Sequence, residues 1–210
     1  MCGFLGQFSS DIIDEKLLKN SNNYLICRGP DDLQISVGQI SKKFSTDNQD
    51  YYSFIFNRLT ILDLTDHSKQ PMFSDVFNTS VMFNGEIYNH NELRKNLESK
   101  GVQFKSDHSD TEVVLNGLSF YGISFVNQLV GQFAISFFNA QKNELTLIRD
   151  RLGQKPLFFH HNKTKISFGS NLKSLIALEG DYELDESSFN EYLNCGVVTS
   201  PKTIFKDFYK

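Results

Sequence analysis

The 210-residue chain has no tryptophan, only four prolines and three cysteines, and little net charge, −4. No apolar run approaches the ~20 residues that span a bilayer. The N-terminus lacks the basic stretch and apolar core of a secretory leader. Lysine and arginine are spread along the chain, so charge gives no argument for nucleic acid or an anionic membrane as partner. Cys2, Cys27 and Cys195 are odd in number and widely spaced. Without an export signal they read as reduced thiols of a cytoplasmic protein, not as a disulfide set or a zinc site. His67, His90, His108, His160 and His161 show no metal-ligand spacing to acids or cysteines, so no metal is expected and no catalytic role is assigned to them.

Phenylalanine is abundant: 20 residues, in a chain that is 40% hydrophobic and 22% charged. That balance is ordinary for a soluble domain, and phenylalanine is expected to fill most of the core. Strand-like runs dominate, over residues 2–8, 33–40, 51–57, 79–84, 144–148, 158–160 and 165–168. Phe133, Ile135 and Phe137 alternate with Ala134 and Ser136, the period of a half-buried strand. Turns are expected at residues 139–143 and 162–164, and a surface loop at 41–50. Asn89 with Glu92, and Ser109 with Glu112, have capping-box spacing; Gly101 and Gly122 fit the helix ends. Ser170 and Asp185 are further cap candidates. Hairpins interrupted by helices, without regular βα alternation, predict an α+β layered fold with antiparallel sheets.

Cys2 follows the initiator methionine directly. Removal of Met1 would leave a cysteine whose free α-amine, with a pKa of about 7.7–8.0, can act as base for its own thiol. One residue would then supply nucleophile and base. Gly3 and Gly6 around Phe4-Leu5 allow tight backbone packing and close substrate approach.

Five further segments follow in order: Arg28-Gly29-Pro30-Asp31, Asn57-Arg58-Leu59-Thr60-Ile61-Leu62-Asp63, Asn84-Gly85-Glu86-Ile87-Tyr88-Asn89, Ser109-Asp110-Thr111-Glu112 and Arg149-Asp150-Arg151-Leu152-Gly153-Gln154-Lys155-Pro156-Leu157. With the N-terminal cysteine they resemble the class-II glutamine amidotransferases, an N-terminal-nucleophile family, over essentially the whole chain. The resemblance implies a four-layer αββα sandwich with two antiparallel sheets. It implies Cys2 as nucleophile and the Asn84 side-chain amide with the Gly85 N–H as oxyanion hole. Asn84-Gly85 alone would read as a type I′ turn; the following Glu86-Ile87-Tyr88-Asn89 favours the site. By the same resemblance Arg58 clamps the glutamine α-carboxylate and Asp110 and Glu86 meet its α-ammonium. The backbone of Leu59, Ile61 and Leu62 lines the pocket. The segments 28–31 and 149–157 are structural supports.

Arg28-Gly29-Pro30-Asp31, and a tail with Tyr192-Leu193, Gly196, Pro201 and Thr203-Ile204-Phe205, resemble the asparagine synthetase branch. That implies a glutaminase domain at residues 1–185 and, at 186–210, a connector toward an ATP-dependent synthetase domain. No Ser-Gly-Gly-x-Asp-Ser pyrophosphate loop occurs, so no cofactor is expected in this chain. ATP and magnesium are implied only for the missing half. The expected partners are L-glutamine and that synthetase domain, in the same or a separate chain, with a homodimer allowed. The resemblance implies glutamine hydrolysis to glutamate and ammonia for amidation of aspartate; Cys27, Asn57 and Asn171 depart from the family pattern and suggest a divergent member, with another carboxylate such as a sugar acid as the alternative acceptor. Two rivals remain open: an N-terminal-cysteine amidase for another amide, and a degenerate scaffold domain.

Overall fold

The computed structural model describes residues 2–40, 50–59 and 69–210. In chain order the elements are β1 (Gly3–Ser9), α1 (Glu15–Asn22), β2 (Asp32–Ile40), β3 (Asp50–Arg58), β4 (Met72–Ser74), β5 (Thr79–Ile87), α2 (His90–Ser99) and α3 (Asp110–Tyr121). They continue with β6 (Gly131–Asn139), β7 (Glu144–Arg149), β8 (Phe158–His161), β9 (Lys165–Gly169), α4 (Leu172–Glu179), α5 (Glu186–Cys195) and β10 (Phe208–Tyr209). Among the described residues the strands form two antiparallel sheets, ordered β10-β8-β9-β1-β3-β2 and β4-β5-β6-β7.

Strand alternation explains the layers. In β1, Phe4 and Phe8 point toward the second sheet, while Leu5 points the other way, onto Leu18, Leu175 and Leu178 of α1 and α4. In β5, Met82 faces the first sheet, and Val81 and Phe83 face Val114 and Leu118 of α3. The result is helix, sheet, sheet, helix, an α+β sandwich with an apolar seam at each interface. The central seam is phenylalanine, as the composition suggests: Phe8 meets Phe54 edge-on at 5.4 Å and Phe138 at 4.7 Å between ring centroids. Such pairs add about 0.5–1.5 kcal/mol each beyond area burial. Gly6 is required here, because a Cβ on it would lie 2.3 Å from the Phe168 ring.

The expected strands are all present, most of them a residue or two longer than the pattern indicated. Residue 50 starts β3; the rest of the predicted 41–50 loop lies outside the described residues. β6 differs in kind. It is buried on both faces from Phe133 to Phe138, because the first sheet covers one side and α3 the other. The helix caps are also partly corrected. Ser109 accepts from the Glu112 N–H as expected, but Glu112 turns away and accepts from the N–H groups of Lys105 and Ser106. Asn89 does not cap α2. Its amide bridges Gln128 O and Val130 N instead. The cap of α4 is Asn171, not Ser170, whose hydroxyl accepts from the Phe4 N–H. Asp185 caps α5 as expected.

Residues 186–210 return to the body of the protein. β10 pairs with β8, and Phe208 is buried with Leu5 and Ile55. No helix among the described residues is long and apolar enough to cross a membrane.

Candidate active site

Cys2 directly precedes β1, and β1 runs antiparallel to β3 with Gly3 opposite Asn57. That register brings the thiol beside Arg58 and Leu59 at the end of β3. The Leu59 N–H donates to Sγ at 3.5 Å, and Sγ lies 3.9 Å from the Leu59 carbonyl oxygen. Arg28 Nε donates to the Cys2 carbonyl at 3.2 Å. Gly29 lets its turn press on β3, since a Cβ there would sit 2.3 Å from Asn57 O. Segment 28–31 thus holds the strand end that carries the thiol. Gly3 and Gly6 pack against neighbouring side chains, Arg28 and Phe168; neither lines the cavity, so they give tight packing without the expected substrate approach.

Across the sandwich, Asn84 and Gly85 lie inside β5, opposite Ala134 and Phe133 of β6, not in a turn. Asn84 is 2% exposed, and its amide nitrogen has no hydrogen-bond partner among the described residues. A buried orphan donor is costly, on the order of 1–3 kcal/mol, so its retention points to a ligand that completes it.

Successive N–H groups of a strand point to opposite edges. Phe83 N donates to Gln70 Oε1 at 2.6 Å, and Ile87 N donates to Asp110 Oδ2 at 3.1 Å. Both bonds leave the edge away from β6. Gly85 lies between them, so its N–H points off that same edge, over the cavity. Gln70 acts as a one-residue strand, since its Nε2 also donates to Phe83 O at 3.1 Å.

These residues line a cavity of about 330 Å³ that takes in Cys2, Arg58, Leu59, Asn84, Gly85, Glu86 and Asp110. The size suits an amino acid. Ile61 and Leu62 lie outside the described residues. Asp110 opens α3, presented by the Ser109 cap. Burial pushes its carboxyl above the usual value, and the nearby Glu86 adds to this, against the Ile87 N–H and His90. A cation bound there would restore the charged form.

The 149–157 segment supports the site from behind. Asp150 accepts backbone N–H groups from Phe133, Leu152, Gln154 and Lys155 at 2.9–3.2 Å. Burial opposes its charge, but these bonds outweigh it and hold the carboxyl below its usual value. Arg149 donates to the Gly153 and Lys155 carbonyls.

The cavity also contains Gln70, His90, His108 and Lys155, to which the sequence assigned no ligand-binding role. No local pattern marks Gln70. His90 and Lys155 stood inside or beside quoted motifs, where spacing alone gives no role. The departures from the family pattern have local uses. Asn57 donates to Asn22 Oδ1 at 2.6 Å, tying β3 to α1. Asn171 caps α4 and donates to Tyr24 O. Cys27 is exposed.

A family model described as "Glutamine amidotransferase domain" matches residues 1–210. The chain belongs to that family. This glutamine amidotransferase domain is 34% identical over 209 residues to "Asparagine synthetase (glutamine-hydrolyzing) 1" of Bacillus subtilis, covering 97% of the chain and 31% of the relative. It is 29% identical over 233 residues to a "Putative asparagine synthetase (glutamine-hydrolyzing) 2" of Methanocaldococcus jannaschii, covering 100% and 42%. The domain therefore spans about a third of the length of the Bacillus relative. Among solved structures, it resembles a glutamine phosphoribosylpyrophosphate amidotransferase from B. subtilis complexed with ADP and GMP. The TM-score is 0.65 at 16% identity, over 85% of this chain and 44% of that one. The shared architecture is the N-terminal-nucleophile sandwich of these amidotransferases.

Proposed function

We propose that the domain hydrolyses L-glutamine to glutamate and ammonia through Cys2. The observation that carries the reading is the buried, unpartnered Asn84 amide beside the Gly85 edge, across the cavity from the Cys2 thiol. After removal of Met1, the Cys2 α-amine takes the thiol proton, and Sγ attacks the side-chain amide carbon. The oxyanion that forms is met by Asn84 Nδ2 and the Gly85 N–H. Collapse returns the proton to nitrogen and expels ammonia, leaving a γ-glutamyl thioester that water cleaves to glutamate. Arg58 takes the α-carboxylate in two-point geometry. Asp110 and Glu86 take the α-ammonium, and Leu59 lines the pocket beside the thiol.

This chemistry calls for no metal or cofactor in the chain. The relatives' names support asparagine synthesis as the larger context, with ammonia passed to an ATP- and magnesium-dependent half that amidates aspartate and with residues 186–210 leading toward it. The cytoplasm is its place. The test is glutaminase assay of Met1-trimmed protein, verified by intact mass. Cys2→Ala should cut kcat by at least about a thousandfold; equal rates in both proteins would overturn the nucleophile. Arg58→Ala should raise the glutamine KM. An unchanged KM would favour a cysteine amidase for another amide.

A further inference from the structure

A second cavity, larger than the one that holds Cys2, lies apart from it. About 710 Å³ of space lies along α3, between β4 and the loop after α2. Met72, Val102, Leu115 and Phe120 give it apolar walls. Asn116 faces it from α3, only 7% exposed, and its side chain makes no hydrogen bond among the described residues. Unlike that of Asn84, its amide is not sealed from water, so it is open to a polar group that enters the cavity. Lys100 and Lys105, neither with an ion-pair partner among the described residues, stand at the rim with Lys69. Two carboxylates also line the space. Glu112 is already satisfied by Lys105 N, Ser106 N and Ser106 Oγ at 2.6–2.9 Å, and Asp75 is exposed. Lys100 and Lys105 against one spent and one solvated acid favour an anion.

We propose that this cavity binds a small organic carboxylate with an apolar body, and that its occupancy alters glutamine binding. The coupling has a physical carrier. On α3, Asp110 and Thr111 face the Cys2 cavity, while Glu112, Leu115 and Asn116 face the second. Gln70 clamps β5 beside the proposed oxyanion hole, and the next residues, Pro71 and Met72, wall the second cavity. A ligand that shifts α3 or the 70–72 segment therefore moves groups at both places, and such coupling is reciprocal. Only the coupling rests on the glutamine reading; binding to the second cavity does not.

The experiment titrates Cys2→Ala protein, which cannot turn substrate over, with 4-phenylbutyrate, followed by calorimetry and ligand-observed NMR. A compound of this size should bind with a Kd of about 1 mM or tighter. Lys100→Glu, at an exposed helix end, and Asn116→Asp should each weaken it about tenfold or more, and 4-phenylbutylamine should bind about tenfold more weakly. Should Asn116→Asp fail to fold, Lys100→Glu still decides. No binding at millimolar concentration, equal binding of the amine, or indifference to Lys100→Glu would overturn the site. Saturating L-glutamine should then shift the probe Kd by about fivefold or more. Probe binding unchanged by glutamine that itself binds would overturn the coupling alone, whereas failure of glutamine to bind at all would refute the proposed glutamine pocket.

Discussion

Asp150 and Asp110 are both withdrawn from water at the edges of the β5–β6 ladder, yet they are built for opposite ends. Asp150 collects four backbone N–H groups, which hold it charged and lock the turn behind the cavity. Asp110 accepts from Ile87 N, and burial leaves its charge poorly supported. The first carboxylate is finished by the fold. The second is left for a ligand to finish. The comparison teaches that a site can be told from a structural support by what the protein withholds.

The comparison breaks first at Asp150. Asp150→Ala strands several buried donors at about 1–3 kcal/mol each, so the domain should lose on the order of 4 kcal/mol in denaturant melts. Its folded pKa lies below the unfolded one, so this stability is present above the ordinary carboxylate range and disappears as pH falls through the lowered value. The variant should therefore flatten the acid limb of the stability profile.

Asn84→Ala removes a donor that the fold does not use. It should lower kcat about 100–1000-fold while leaving the melting temperature unchanged or raised. A clear loss of stability would make Asn84 structural instead. Asp110→Asn should raise the glutamine KM about tenfold or more and leave stability equal or higher at neutral pH. The sign for Asp110 is reversed, because its folded pKa is raised. Its contribution to stability is complete below the unfolded pKa and is lost as pH rises through the folded one. For the wild type, the same group predicts that glutamine KM climbs as pH falls through that raised value, since only the carboxylate meets an ammonium. A pH-independent KM would remove Asp110 from the substrate. Asn171→Ala should cost about 1 kcal/mol as a lost cap, with kcat and KM unmoved.

Much of this is legible in the amino-acid sequence. Short β-branched and aromatic runs located the strands, and the residues the ordered motifs named, Cys2, Arg58, Leu59, Asn84, Gly85, Glu86 and Asp110, line one cavity. What escaped has physical causes. α1 carries Leu18 as its one buried apolar side chain, so its period is faint. β5 continues through Asn84-Gly85, a pair of poor strand formers, because Gly85 must let the Gln132 carbonyl approach; a Cβ there would lie 2.1 Å from it. Asn89 has a cap's identity but was drawn to Gln128 and Val130, a competition that sequence spacing cannot register. Gln70 works through a strand mimicry that leaves no local signature.

The pairing of β10 with β8 gives the sheet a mechanical meaning. Ladders run without interruption from Tyr209 through β8 and β9 to β1, the strand that Cys2 precedes. A tug on the last residues is thus borne as tension across three rows of hydrogen bonds and by the anchored Phe208 ring. The two chain ends, distant in number, are woven into one cloth.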